Sequence, residues 1–233
     1  EGIIMFYLQI ILFFIYSFLG WLMEVGLTFI REKRFINRGF LIGPCCPIYG
    51  VGCFLLNLLL KNYTQNVLVL FVLTFSICSI LEYFTSYLME KTFKLRWWDY
   101  SQLKYNLNGR ICLETMIPFS IIGLIVIKYL NPFLMSILSK ISNNVLLIIA
   151  VTLVFMFLAD LIISCNVIFN IKNITNNIRK DSTEDIKKAI SKFISNHTYV
   201  YDRMIKAFPN MKKIIKDKAT QTKQILKKSF KKI

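Results

Sequence analysis

Acidic residues are scarce in this chain. Its 233 residues hold 13 Asp and Glu against 29 Lys and Arg, a formal net charge of +16. Histidine is almost missing, with His197 as its one representative. That removes the commonest imidazole metal ligand and the usual general base. The six cysteines form no CxxC pair. Vicinal Cys45-Cys46 could ligate a soft metal, but with one His in the chain we read them as small packing residues. A disulfide scaffold is disfavoured, because such frameworks belong to small secreted domains and most of these cysteines sit inside apolar runs. Nine Gly and five Pro are too few for a low-complexity linker. Charged residues make up 18% and hydrophobic ones 55%, whereas a soluble domain averages about 25% charged. An ordinary soluble domain is thereby excluded. Period-two alternation is absent too, which argues against a transmembrane β-barrel.

What the chain does have is apolar length. Runs at 3–29, 39–60, 67–89, 113–130 and 145–169 each approach or exceed the ~20 residues that cross a bilayer as a helix. Helices are the expected form, since lipid leaves every backbone group to bond internally. The first run is too long for a signal-peptide core and lacks a small-residue cleavage site. The chain starts at Glu1 rather than Met, so a further N-terminal segment would change the span count but not the orientation. The fold class expected is therefore all-α: a polytopic bundle of about five transmembrane helices over residues 1–169, with a basic helical tail over 170–233.

Charge divides the chain the same way. Residues 1–169 hold 12 basic and 8 acidic residues, and residues 170–233 hold 17 and 5. The loops after the first and third runs are basic, carrying Arg31, Lys33, Arg34 and Arg38, then Lys91, Lys94, Arg96, Lys104 and Arg110. The other two loops carry only Lys61, and Lys128 with Lys140. Positive loops stay cytoplasmic, so the expected orientation has the N-terminus outside and the C-terminus inside.

In that orientation the intramembrane acids share a depth. Glu24, Glu82, Glu90, Glu114 and Asp160 all fall in the cytoplasmic half. Each is costly at a helix centre, about 2.5–3.5 kcal/mol on insertion scales. Glu82, Ser86 and Glu90 follow one another at four-residue steps, along one helix stripe. One reading pairs each acid with a base such as Arg31, Arg38 or Arg110, purely for assembly. The other is an inward-facing polar cavity lined by the five acids and Ser86, with Arg38 and Arg110 balancing charge at its mouth.

The second run is broken at its start. Gly43, Pro44, Pro47 and Gly50 around Tyr49 preclude a straight helix, because each proline lacks a donor and pushes its predecessor out of the α region. Irregular backbone at membrane depth needs protein or water to cover it, and transporters bind substrate at such broken helices. An ordinary kink remains the plainer alternative. The loop between the third and fourth runs holds Trp97, Trp98, Asp99 and Tyr100, then Asn106, Asn108 and Arg110. The aromatics suit a headgroup region, and Asn108-Gly109 reads as a tight turn. The polar residues suggest that this loop folds back as a lid over the carboxylates.

These stretches carry a resemblance. Gly20-Trp21 with Glu24, Asn37-Arg38-Gly39-Phe40-Leu41, Gly43-Pro44, Cys46-Pro47-Ile48-Tyr49-Gly50, Glu82-Tyr83, Trp97-Trp98-Asp99-Tyr100-Ser101 and Asn106-Leu107-Asn108-Gly109-Arg110-Ile111-Cys112-Leu113 occur in order over about residues 17–124. The chain resembles the bacterial membrane family named Putative ABC-transporter type IV, also called CmpB-like. The resemblance implies a polytopic plasma-membrane protein tied to transport. It assigns no catalytic or substrate-binding residues.

The chain has no GxxxxGK[ST] loop, so ATP binding of that type would belong to a separate ATPase subunit. Five spans would also call for a homo-oligomer or a partner to build a two-sided pathway, although no clean GxxxG face predicts a dimer. Two rival functions stay open: an enzyme acting on lipid headgroups, against which no nucleophile–base pair is found, and a membrane regulator or scaffold. No cofactor is expected.

In the tail, Ser182 or Thr183 can cap a helix bearing an apolar stripe at Ile186, Ile190, Phe193 and Ile194. After Pro209 a second stripe runs from Met211 to Ile233 among nine lysines. A basic amphipathic helix suits the anionic inner leaflet. Nucleic acid is disfavoured as a partner, because no recognition motif accompanies the charge.

Overall fold

The computed structural model describes residues 2–93 and 96–177, with side chains to residue 169. The tail expectations at 182–233 lie outside the described residues. Six α-helices carry the fold: α1 (Gly2–Glu32), α2 (Pro47–Leu60), α3 (Val67–Phe93), α4 (Leu113–Ile125), α5 (Asn131–Leu138) and α6 (Asn143–Asn177). A π-helical turn, Val126–Leu130, joins α4 to α5 into one rod. A 3-10 turn, Lys61–Tyr63, follows α2, and two short antiparallel strands, β1 (Asn106–Leu107) and β2 (Ile111–Cys112), complete the described elements.

Among the described residues, four rods are long and apolar enough to cross a membrane: Gly2–Glu32, Val67–Phe93, Leu113–Leu138 and Asn143–Phe169. The second apolar run is different. Residues 39–46 are not helical, and α2 has 14 residues, about 21 Å at 1.5 Å per residue. Pro47 occupies the first turn of α2, where its missing N–H costs nothing. Packing places that start at mid-height. The Cys46 amide donates to the Ser17 carbonyl at 3.0 Å, in the middle of α1. At the far end, Leu56 and Leu60 pack with Leu70 near the start of α3. The chain from Lys33 to Leu60 thus returns along α1 as an irregular segment followed by a half-length helix.

Glycines permit this close return. A Cβ on Gly20 would enter the Tyr49 ring, and one on Gly50 would enter Phe13 and Ser17. The segment itself is held by side chains. Asn37 accepts from Trp21 Nε1 at 2.8 Å and from the Gly39 amide at 3.2 Å, and donates to the Ile42 carbonyl at 3.0 Å. Asp160 of α6 accepts from the Ile42 amide at 2.9 Å and from the Gly43 amide at 2.8 Å, with Ser164 donating to it at 3.0 Å. Backbone groups with no helical partner are thereby satisfied, as an apolar surrounding demands.

At the opposite end, Leu8, Ile11, Leu12, Val126, Leu146 and Ala150 form a core between α1, the π turn and α6. A polar chain crosses it: Tyr16 donates to Asn131 Oδ1 at 3.1 Å, and Asn131 donates to Asn57 Oδ1 at 2.8 Å. Large apolar side chains elsewhere point outward, Phe155 and Leu68 at 74% exposure among them. An inside-out periphery of this kind is what hydrocarbon-facing helices present.

Candidate functional site

The α1 and α3 C-terminal ends, the broken segment and the loop 96–112 meet at one end of the bundle. Glu24 comes from α1 and accepts a hydrogen bond from Tyr49 Oη of α2 at 2.6 Å. Glu82 comes from α3, is buried, and accepts from Tyr100 Oη at 3.2 Å. Burial first, then the charges of Glu82 and Glu24, push the Tyr100 phenol well above its ordinary value. Among the described residues, neither Glu24 nor Glu82 forms a salt bridge.

Below this pair lies a charged layer. Arg110 binds Glu90 at 2.7 Å and donates to Ser86 Oγ at 3.3 Å, and its guanidinium lies 5.7 Å from the Tyr83 ring centroid and 5.5 Å from that of Tyr87. Arg96 reaches Glu90 at 3.3 Å, Asp99 at 3.4 Å and the Asn108 carbonyl at 3.3 Å. Burial alone would raise the Asp99 carboxyl, but the Ser101 amide and Arg96 outweigh it and hold it below the usual carboxylate range.

The loop earns this geometry from its turn chemistry. Asn108 and Gly109 both adopt positive φ, 55° and 67°, and the Arg110 amide closes the turn on the Leu107 carbonyl at 3.0 Å. Such a turn suits Asn-Gly. The Gly109 amide donates to Asn106 Oδ1 at 2.9 Å, Asn108 Nδ2 to Tyr83 Oη at 2.9 Å, and Trp98 Nε1 to the Arg110 carbonyl at 2.9 Å. Trp97 packs with Phe40 and Phe93, each ring pair 5.5 Å apart.

The expected site residues divide into groups. Glu24, Tyr49, Glu82 and Tyr100 come together, and Ser86, Glu90, Arg110, Asp99, Asn106 and Asn108 form the adjoining layer. Asp160 instead clamps the Ile42 and Gly43 amides, with its Oδ2 2.9 Å from where a Gly43 Cβ would lie. Glu114 is exposed in the first turn of α4, and Arg38 is half-buried. Pro44 is exposed on the turn where the Cys45 amide bonds the Gly43 carbonyl at 2.8 Å. Sequence reasoning missed Asn37, Ser164 and Tyr83 as organising side chains. The signal for Asn37 was present, as a polar residue bordering a proline-broken apolar run. It also missed Tyr16, Asn57 and Asn131, whose meeting depends on the π turn.

A family model described as Putative ABC-transporter type IV matches residues 11–165. The chain belongs to this family. The match spans α1 through most of α6 and includes both carboxylates, the broken segment and the hairpin loop. With its apolar rods, this member of the type IV family is a multi-pass membrane protein associated with transport. No curated protein and no solved structure matches the chain significantly.

Proposed function

We propose that the chain is a permease-like or accessory membrane component of a bacterial transport system, served by a separate ATPase subunit. Glu24, Tyr49, Glu82 and Tyr100 form its polar site, opening toward the cytoplasm in the plasma membrane with the N-terminus outside. One observation carries the reading: of two carboxylates on different rods, each is held by a tyrosine hydroxyl rather than by a base. Acids retained only for assembly would be expected in ion pairs, as Glu90 is. Both tyrosines come from the places where regular helix gives way, the first turn of α2 and the loop 96–112. Broken helices of this kind supply substrate sites in transporters.

Around that centre, Ser86, Glu90 and Arg110 form the mouth, with Arg38 beside it. Trp97, Trp98 and Asp99 with Asn106 and Asn108 carry the lid that Tyr100 closes. Asp160, with Gly43, Pro44, Pro47 and Gly50, fixes the broken segment, and Glu114 stands at its edge. A basic tail on the anionic leaflet, and a homo-oligomer or partner completing the pathway, belong to the same proposal.

Tagged full-length protein solubilised from its native membrane should bring down a separate ATPase. Glu82→Gln should keep that association and normal insertion while losing complementation of a deletion strain. Full complementation by Glu82→Gln, or the absence of any ATPase partner, would count against the reading.

A further inference from the structure

Away from the inner polar site, the α4–α5 rod is jointed. At the π turn the Asn131 amide bonds the Val126 carbonyl, five residues back. The next residue, Pro132, has no amide with which to continue the ladder. Asn131 itself keeps α-helical angles, φ −66° and ψ −48°, which a following proline disfavours. A π turn inside a helical rod is rare and recurs at functional sites. Val126 and Ile127 face two different cores from it. Val126 packs with Leu8, Leu12 and Leu146, and Ile127 with Leu56, Leu60 and Leu70. The joint therefore stands where the α1–α6 side of the bundle meets the α2–α3 side.

The Asn131 side chain fastens this joint. It is buried, accepts from Tyr16 Oη of α1 at 3.1 Å and donates to Asn57 Oδ1 of α2 at 2.8 Å. The core around this latch is apolar, so apolar packing would serve a permanent contact. Neutral interhelical bonds are individually weak in a membrane. Their groups can exchange partners for water at small net cost when a contact opens.

We propose that this joint is the outer gate of the transport pathway. In the described structure Tyr16, Asn131 and Asn57 hold α5 against α1 and α2, and shut the bundle at the end opposite Glu82. Bending at the π turn swings Asn131 off both partners and opens a hydrated way along the α2 face that carries Asn57 and Cys53. The inference rests on the transport reading above, since a gate needs something to pass.

Cys53 is a built-in reporter. It lies one helical turn deeper than Asn57 on the same face of α2, is half-buried, and packs against the core that the latch crosses. Its thiol is free. Full-length protein in intact spheroplasts is treated from outside with a membrane-impermeant quaternary-ammonium methanethiosulfonate, and modification of Cys53 is followed by peptide mass spectrometry. In the parent, labelling should be several-fold faster in energised cells than in cells depleted of ATP. Asn131→Ala removes both bonds and should be labelled fast in either state. Tyr16→Phe removes one bond and keeps the ring in the core. It should shift in the same direction, and it covers the case in which Asn131→Ala fails to fold. Parental labelling that ignores the energy state overturns the gate even if the variants are faster, because a purely structural contact would behave that way. Parental rates in both variants overturn it too. Either result leaves the transport reading standing where the ATPase still co-purifies. Failure to find that ATPase removes the reading and the gate together.

Discussion

Gly109 shows how narrow the tolerance is at single positions. It sits at φ +67°, and a Cβ there would come within 2.6 Å of Asp99 Oδ1 and 3.0 Å of the Arg96 guanidinium. Left-handed backbone alone costs an L-residue about 1–2 kcal/mol, and the displaced carboxylate adds to it. Gly109→Ala should therefore loosen the hairpin, exposing the loop 96–112 to limited proteolysis in detergent while the rods stay intact. Proteolysis at the parental rate would mean that the turn is not what seats Tyr100 on Glu82. Gly20 is a similar case at a helix contact. There the constraint is space rather than φ, since the Tyr49 ring occupies the side-chain volume.

At the scale of elements, the segment between α1 and α2 depends on a helix more than a hundred residues away. Asp160 uses both oxygens on consecutive amides, Ile42 and Gly43. Removing an acceptor from a buried donor costs about 1–3 kcal/mol. Asp160→Ala orphans the Gly43 amide and leaves the Ile42 amide only its 3.2 Å bond to Ser164 Oγ, and should lower the thermal stability of the detergent-solubilised protein clearly. Asp160→Asn keeps one acceptor oxygen and should fall between Asp160→Ala and the parent. Equal melting of all three would show that water, not the carboxylate, satisfies those amides.

The same segment marks the limit of sequence reading. Pro44, Pro47 and the glycines announced the break, because their restrictions are local. That the helix would begin only at Pro47, leaving four rods long enough to cross where five runs had been counted, depended on where α1 could accept the Cys46 amide. That is a tertiary fact. Asn108-Gly109 was legible for the same local reason. The meeting of Glu24 with Glu82 was legible only as a shared depth, and Asp160 shared that depth while facing a different partner. Depth comes from counting residues, whereas direction comes from packing.

For the whole molecule, α1, α3 and α6 run one way, while α2 and the α4–α5 rod run the other. Both returning elements begin with irregular chain at the same end, residues 33–46 and 96–112. The basic loops lie at that end too, which carries the proposed cytoplasmic orientation. A fluorescent protein fused after Asn177 should be fluorescent, while a periplasm-dependent phosphatase fused at the same point should be inactive. The reverse pattern would invert the proposed site along with the chain.

The irregular return after α1 also sets how the chain can change length. In a helix, one added residue turns everything beyond it by about 100°. An insertion between Gly20 and Glu24 would swing the Glu24 carboxylate off Tyr49. An insertion near Arg34, where side chains are exposed and the backbone has left the helix, can be taken up as slack. Families that vary by insertion and deletion should therefore accumulate such changes ahead of Asn37 and spare the stretch from Ser17 to Glu24.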